Sequence, residues 1–234
     1  MADTETVWGE IDGRVITFPM RVEEMNAATL LFTVPADEAA ALLPGEAFEV
    51  VEVAPGRAQM VIALCDYVRN PWGDYDEVNL GFLARPAGAS EDVIGSFVYR
   101  MPVNQEFTRE AGNRVMGFPK TVERIDVDYS DSTVAFRLAF DGRPTLGVTL
   151  PRAAATGAPE SIDAVSYSYL DGVPYGTTLS MEMGTGFPDP TEVVIEVGDG
   201  PVADELRRLG LPAVPDMVTW GEGLAATFHL GHPV

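Results

Sequence analysis

The clearest periodicity in the chain is two. Ile125, Val127 and Tyr129 alternate with Asp126 and Asp128, and Val134, Phe136, Leu138 and Phe140 repeat the pattern soon after. Successive side chains of a strand point to opposite faces, so this alternation predicts half-buried strands, the first of them at 122–129. Asp141-Gly142 then leads into an apolar stretch at 146–150, and that pair of residues favours a tight hairpin turn. Further strands are predicted at 29–34, 48–53, 58–66, 77–85 and 93–101. Later ones fall at 165–169, 177–183, 192–197 and 219–230, the last bent at Gly221 or Gly223. Asp171-Gly172 supplies a turn between 165–169 and 177–183. Helices are few and short: 36–43, stopped by Pro44-Gly45, then 107–115 and an amphipathic segment at 202–209. Residues 70–74 and 152–160 carry loop chemistry.

Closely spaced strands with few crossover helices imply a mainly antiparallel sheet, because parallel neighbours need long connections. The expected fold is β-rich α+β. It has one domain over residues 1–234, built on a large curled, barrel-like or cone-like sheet with small peripheral helices.

Composition narrows the function more than the fold. Hydrophobic residues make up 46% of the chain, enough for a sizeable core. No apolar run approaches the roughly 18 residues that a membrane-spanning helix needs. The start, Met1 to Glu5, is polar and acidic and unlike a secretory leader. Cys65 is the only cysteine, so no internal disulfide can form, and a cytoplasmic location is expected. A net charge of −21 makes nucleic acid and anionic membrane poor partners. An anionic substrate would also enter against that field, so its site needs local positive charge.

The basic residues are lopsided. Of the 15, all are arginine except Lys120. Either residue keeps a surface soluble, but only lysine can lose its proton near neutral pH and attack a carbonyl. Lys120 follows Gly117, Phe118 and Pro119 and opens a β-pattern, so it sits among apolar residues. Burial disfavours an ammonium and leaves the nucleophilic amine. A lysine stem packed on Phe118 with its head in water would give the same local sequence.

The stretch Ala111-Gly112-Asn113-Arg114-Val115-Met116-Gly117-Phe118-Pro119-Lys120 resembles the active-site segment of acetoacetate decarboxylases. In that family the lysine after Gly-x-Pro forms a Schiff base, a standard instance of an activated amine. A second stretch, Asp66 to Glu77, resembles the family's acidic segment, an acid followed by a loop and Gly-Asp-Tyr-x-Glu. The 36–44 segment and the 225–230 strand also fit the layout, so the likeness covers most of the chain. It implies Lys120 as nucleophile, Glu77 as the main acid/base and Asp66 as a supporting carboxylate. Met116 and Phe118 would line a substrate pocket. The substrate would be a small keto acid, with no cofactor, in a homo-oligomer. Two positions depart from the pattern. Thr121 stands where a second lysine is usual, and Met25 and Asn26 stand near the family's arginine, which Arg21 would restore across a gap. Relatives with such losses resemble enzymes of aldol, dehydration or cyclisation chemistry. Arg69, Arg100 and Arg114 are further candidates to hold a carboxylate.

The remaining signals are weak. His229 and His232 would face opposite ways on a strand and have no evident third ligand, so a metal site is not expected. No glycine-rich phosphate loop or nucleophile elbow occurs. Cys65 reads as a buried thiol, and Trp72, Trp220 and Tyr175 as pocket wall or core. The leading expectation is a Schiff-base-forming lyase. The alternatives are a small-ligand binder on the same fold without turnover and, more remotely, a structural β-barrel subunit.

Overall fold

Alternating apolar positions do fold into strands, and in order the elements are as follows. The computed structural model describes residues 5–234; residues 1–4, on which the leader reading rests, lie outside the described residues. The first half holds β1 (Thr6–Ile11), β2 (Arg14–Phe18), β3 (Met20–Pro35), α1 (Ala36–Ala40), β4 (Phe48–Val50), β5 (Glu52–Ala54), β6 (Arg57–Arg69), β7 (Tyr75–Pro86), β8 (Gly95–Val103) and α2 (Glu106–Met116). The second holds β9 (Lys120–Val122), β10 (Arg124–Tyr129), β11 (Thr133–Phe140), β12 (Arg143–Pro151), β13 (Glu160–Leu170), β14 (Val173–Met183), a 3-10 turn (Pro190–Glu192), β15 (Val194–Val197), α3 (Pro201–Arg208), β16 (Met217–Phe228) and β17 (His232–Pro233).

Seven strands close on themselves in the order β7-β6-β3-β16-β14-β13-β8, with β8 returning to β7. Closure leaves the ring without a free edge. The ring is antiparallel apart from β13 against β8, and β9 adds parallel to β8 outside it. Strands β10, β11, β12 and β15 make a separate antiparallel sheet. The β-rich, barrel-like expectation is therefore met. The pair β1–β2 is an addition that the apolar pattern concealed, since Val7 and Val15 face solvent. Its turn, Asp12-Gly13, has positive φ at both residues, the same chemistry as Asp141-Gly142 and Asp171-Gly172.

Two apolar clusters result. On β6, Met60, Ile62 and Leu64 join a first cluster with Phe136 and Val148 of the second sheet and Leu206 of α3. Cys65 and Tyr67 face the other way, into a second cluster with Tyr75, Met101, Val115, Met116 and Phe118. On β3 the parity reverses. Ala28, Leu30 and Phe32 join the first cluster, while Met20 and Val22 join the second. An extra residue of β3 between Val22 and Met25, opposite Leu224–Ala226 of β16, produces the reversal. The second cluster is roofed by α2, and the site lies there. Among the described residues no helix is long and apolar enough to cross a membrane.

Candidate active site

Helix α2 and the turn after it aim Lys120 inward. The Gln105 side chain caps the helix start by accepting from Thr108 N at 3.1 Å. At the other end Gly117 takes φ +65°, and the Gly117 and Phe118 N–H groups donate to Asn113 O and Gly112 O. That is the reverse turn by which glycine ends helices. A Cβ on Gly117 would lie 2.4 Å from Tyr169 O, so the close approach of β13 also demands glycine. The chain re-enters as β9, with Lys120 level with Met101 of β8. The Asn113 side chain then holds the Lys120 backbone twice. Its Oδ1 accepts from Lys120 N at 3.0 Å and its Nδ2 donates to Lys120 O at 3.1 Å.

The lysine side chain runs back against α2. Gly112 makes room, since a Cβ there would meet Lys120 Cδ at 2.7 Å and Cε at 2.8 Å. Nζ donates to Thr108 Oγ1 at 3.2 Å and stands 5.2 Å from the centre of the Tyr75 ring. It lies 2.6 Å from Glu77 Oε2, and the two side chains are only 5% and 4% exposed. Oε2 approaches Nζ off the hydrogen-bond axis and has no other partner. Oε1 of Glu77 accepts from Asn79 Nδ2 at 3.1 Å and from Tyr67 OH at 3.4 Å.

The groups around this pair are kept neutral. Burial, reinforced by the Glu77 charge, pushes the Tyr67 and Tyr75 hydroxyls and the Cys65 thiol well above their ordinary values. The two tyrosine rings stack at 4.4 Å. Two phenols, a thiol and a threonine hydroxyl thus surround one amine and one carboxyl.

The other predicted site residues divide. Met116 and Phe118 are buried in the cluster beside the lysine, and Met116 O accepts from Ser168 Oγ at 2.6 Å. Asp66 is not brought to the lysine. It lies one position from Cys65, on the opposite face of β6. There it accepts from Asn26 Nδ2 at 3.1 Å and from the Tyr129 hydroxyl. Arg21 is exposed and lines a surface cavity. Arg69 pairs with Glu23 and Glu24, Arg100 with Glu205 and Arg114 with Glu110, all away from Lys120. Trp72 belongs to the second cluster, Trp220 Nε1 donates to Glu222, and Tyr175 OH donates to Gly231 O. Among the described residues no cluster of metal-ligating side chains occurs.

Sequence reasoning passed over Thr108, Gly112, Asn113, Tyr67, Tyr75 and Asn79. Two signals were available. Thr108 and Gly112 are four apart, on one helical face, and Glu77 and Asn79 are two apart, on one strand face.

Fold and site together define a class: a closed seven-stranded barrel with a lysine–glutamate pair sealed beneath a short helix. The family model described as acetoacetate decarboxylase (ADC) matches residues 11–202, and the chain belongs to this family. No curated protein sequence matches. Among solved structures, an acetoacetate decarboxylase from Legionella pneumophila is similar at 16% identity and TM-score 0.65, over 92% of this chain and 87% of that one. The enduracididine biosynthesis enzyme MppR, solved with HEPES buffer bound, is similar at 17% identity and TM-score 0.61, over 94% and 89%. An acetoacetate decarboxylase-like enzyme from Sphingomonas wittichii RW1 reaches 15% identity and TM-score 0.61, over 98% and 99%. At such identities the likeness is one of fold.

Proposed function

We propose that the protein is a Schiff-base-forming lyase for a small keto acid, with Lys120 as nucleophile and Glu77 as proton carrier. The observation that carries this reading is the sealed 2.6 Å contact between Nζ and Oε2. With the proton on Glu77, the neutral amine adds to the ketone carbon. Glu77 then protonates the departing oxygen, which leaves as water, and a protonated imine remains. That cation withdraws electrons from the adjacent carbon. If the bond to a carboxylate breaks, its electron pair moves toward nitrogen, CO2 departs and an enamine forms. Protonation at carbon and hydrolysis release the shortened ketone and restore Lys120. If a proton is lost from that carbon instead, the same enamine-type nucleophile attacks a second carbonyl, as in aldol and dehydration chemistry.

Two observations favour keeping the condensation branch. Among the described residues Arg69, Arg100 and Arg114, three of the arginines considered for a substrate carboxylate, are each paired with glutamates other than Glu77. In addition, MppR was solved with pyruvate and with the condensation product of pyruvate and imidazole 4-carboxaldehyde. Binding without turnover is the weaker alternative, since it gives no use for a buried amine and acid in contact. The homo-oligomer and the cytoplasmic location belong to the same proposal, and sedimentation of the purified protein tests the first.

The test is turnover of a keto-acid panel, with and without an aldehyde partner. CO2 release from acetoacetate places the protein on the first branch, and a pyruvate–aldehyde product on the second. Either product, lost in Lys120→Arg, supports the proposal; no product from any keto acid removes it.

A further inference from the structure

The strong negative charge sets a problem that the buried Lys120 does not solve, because a keto acid is an anion. A cavity of about 400 Å³ lies beside the β1–β2 hairpin, lined by Arg14, Arg21, Pro71, Trp72 and Phe107, with Glu5 its single acid. Neither arginine takes part in any ion pair among the described residues. In a chain with 36 acidic and 15 basic residues, two such guanidiniums on one cavity stand out. The Arg14 guanidinium is held 4.4 Å from the centre of the Phe107 ring, which fixes it in place and leaves its N–H edges available. Phe107 packs edge-on to Trp72, with ring centres 6.4 Å apart, and the next helix residue, Thr108, accepts from Lys120 Nζ. Trp72 belongs to the apolar cluster that surrounds the lysine. Phe107 and Trp72 thus line the cavity on one side, and Thr108, next to Phe107, touches the amine.

We infer that this cavity is a carboxylate-binding antechamber, in which Arg14 and Arg21 capture the keto acid before it reaches Lys120. The inference rests on the keto-acid reading for its ligand, but it has its own readout. Two guanidiniums over an apolar floor suit a short carboxylate with a small hydrocarbon tail. They also supply the local positive potential that the overall field denies.

Calorimetry with 3-hydroxybutyrate tests the site apart from imine chemistry, because this carboxylate has no ketone. Neutral acetone is the control. The expected result is weak binding of 3-hydroxybutyrate to the wild-type protein, diminished by added salt. The Arg14→Gln/Arg21→Gln double variant should lose about tenfold or more in affinity with its melting temperature unchanged, since both side chains are exposed. Acetone should show no dependence on either arginine. Equal binding to wild type and double variant, or none to wild type, overturns the antechamber. Turnover of the panel reports on Lys120 separately. Arginine-dependent binding without any product would leave the cavity standing and remove the lyase, and product formed at unchanged KM in the double variant would do the reverse.

Discussion

In the proposed reaction, the sealed glutamate and lysine exchange a proton directly, and each has a substitution that isolates its part. In Lys120→Arg the cation would persist but could not add to a carbonyl. Turnover should fall by on the order of 10³-fold or more, as for loss of other nucleophiles. Glu77→Gln keeps the shape of the acid and its contacts to Asn79 and Tyr67 but cannot carry the proton. A loss of about 10²- to 10⁴-fold in kcat is expected, with a smaller change in KM. A second residue-scale effect concerns stability. Burial, with the charge of Asp66 opposite it on β6, raises the Asp76 carboxyl to about 6; Asn104 works against this, and Asp74 and Asp126 add to it. Because the folded value lies above the unfolded one, protonated Asp76 favours the fold. That contribution is complete below about pH 4 and is lost as pH rises through about 6. Asp76→Asn should therefore melt higher than wild type at about pH 8, with the difference vanishing near pH 4. An equal difference at both would contradict the assignment.

The element that matters most is α2, because it presents Thr108 and Gly112 to one side chain. Gly112→Ala would ordinarily strengthen a helix by about 0.5–1 kcal/mol. Here the new methyl falls 2.7 Å from Lys120 Cδ, so the amine must move. A displacement of about 1 Å can cost about 10²-fold in rate, and turnover should drop on that scale with little loss of melting temperature. Asn113→Ala removes both bonds to the Lys120 backbone and should cost about 1–3 kcal/mol in denaturant unfolding. Most elements were legible from period two and from turn chemistry. The hairpins at Asp141-Gly142 and Asp171-Gly172 form where the turn residues placed them. The long β3 was read only at 29–34, since Glu23, Glu24 and Asn26 break the apolar pattern around the bulge. Of the candidate site, Lys120 and Glu77 were legible as a pair worth bringing together, because their neighbours along the chain carried the signal, and they do meet. Asp66 was harder to place, because a single step along β6 decides the face, and Asn113 acts only through the turn between α2 and β9.

At the scale of the whole molecule, the barrel wall sets where the two groups stand. β8 pairs with β7, which carries Glu77, on one side and with β9, which carries Lys120, on the other. Residues 43 positions apart in the chain thus meet in a dry interior. The claim at the centre of this account is that the Lys120 amine captures a ketone there. Borohydride reduction in the presence of acetoacetate or pyruvate, followed by peptide mass mapping, tests it most directly. The account predicts a stable adduct on the peptide containing Lys120 and none in Lys120→Arg. A folded protein that yields no adduct with any keto acid, or one that is modified only at its N-terminal amine, would contradict it.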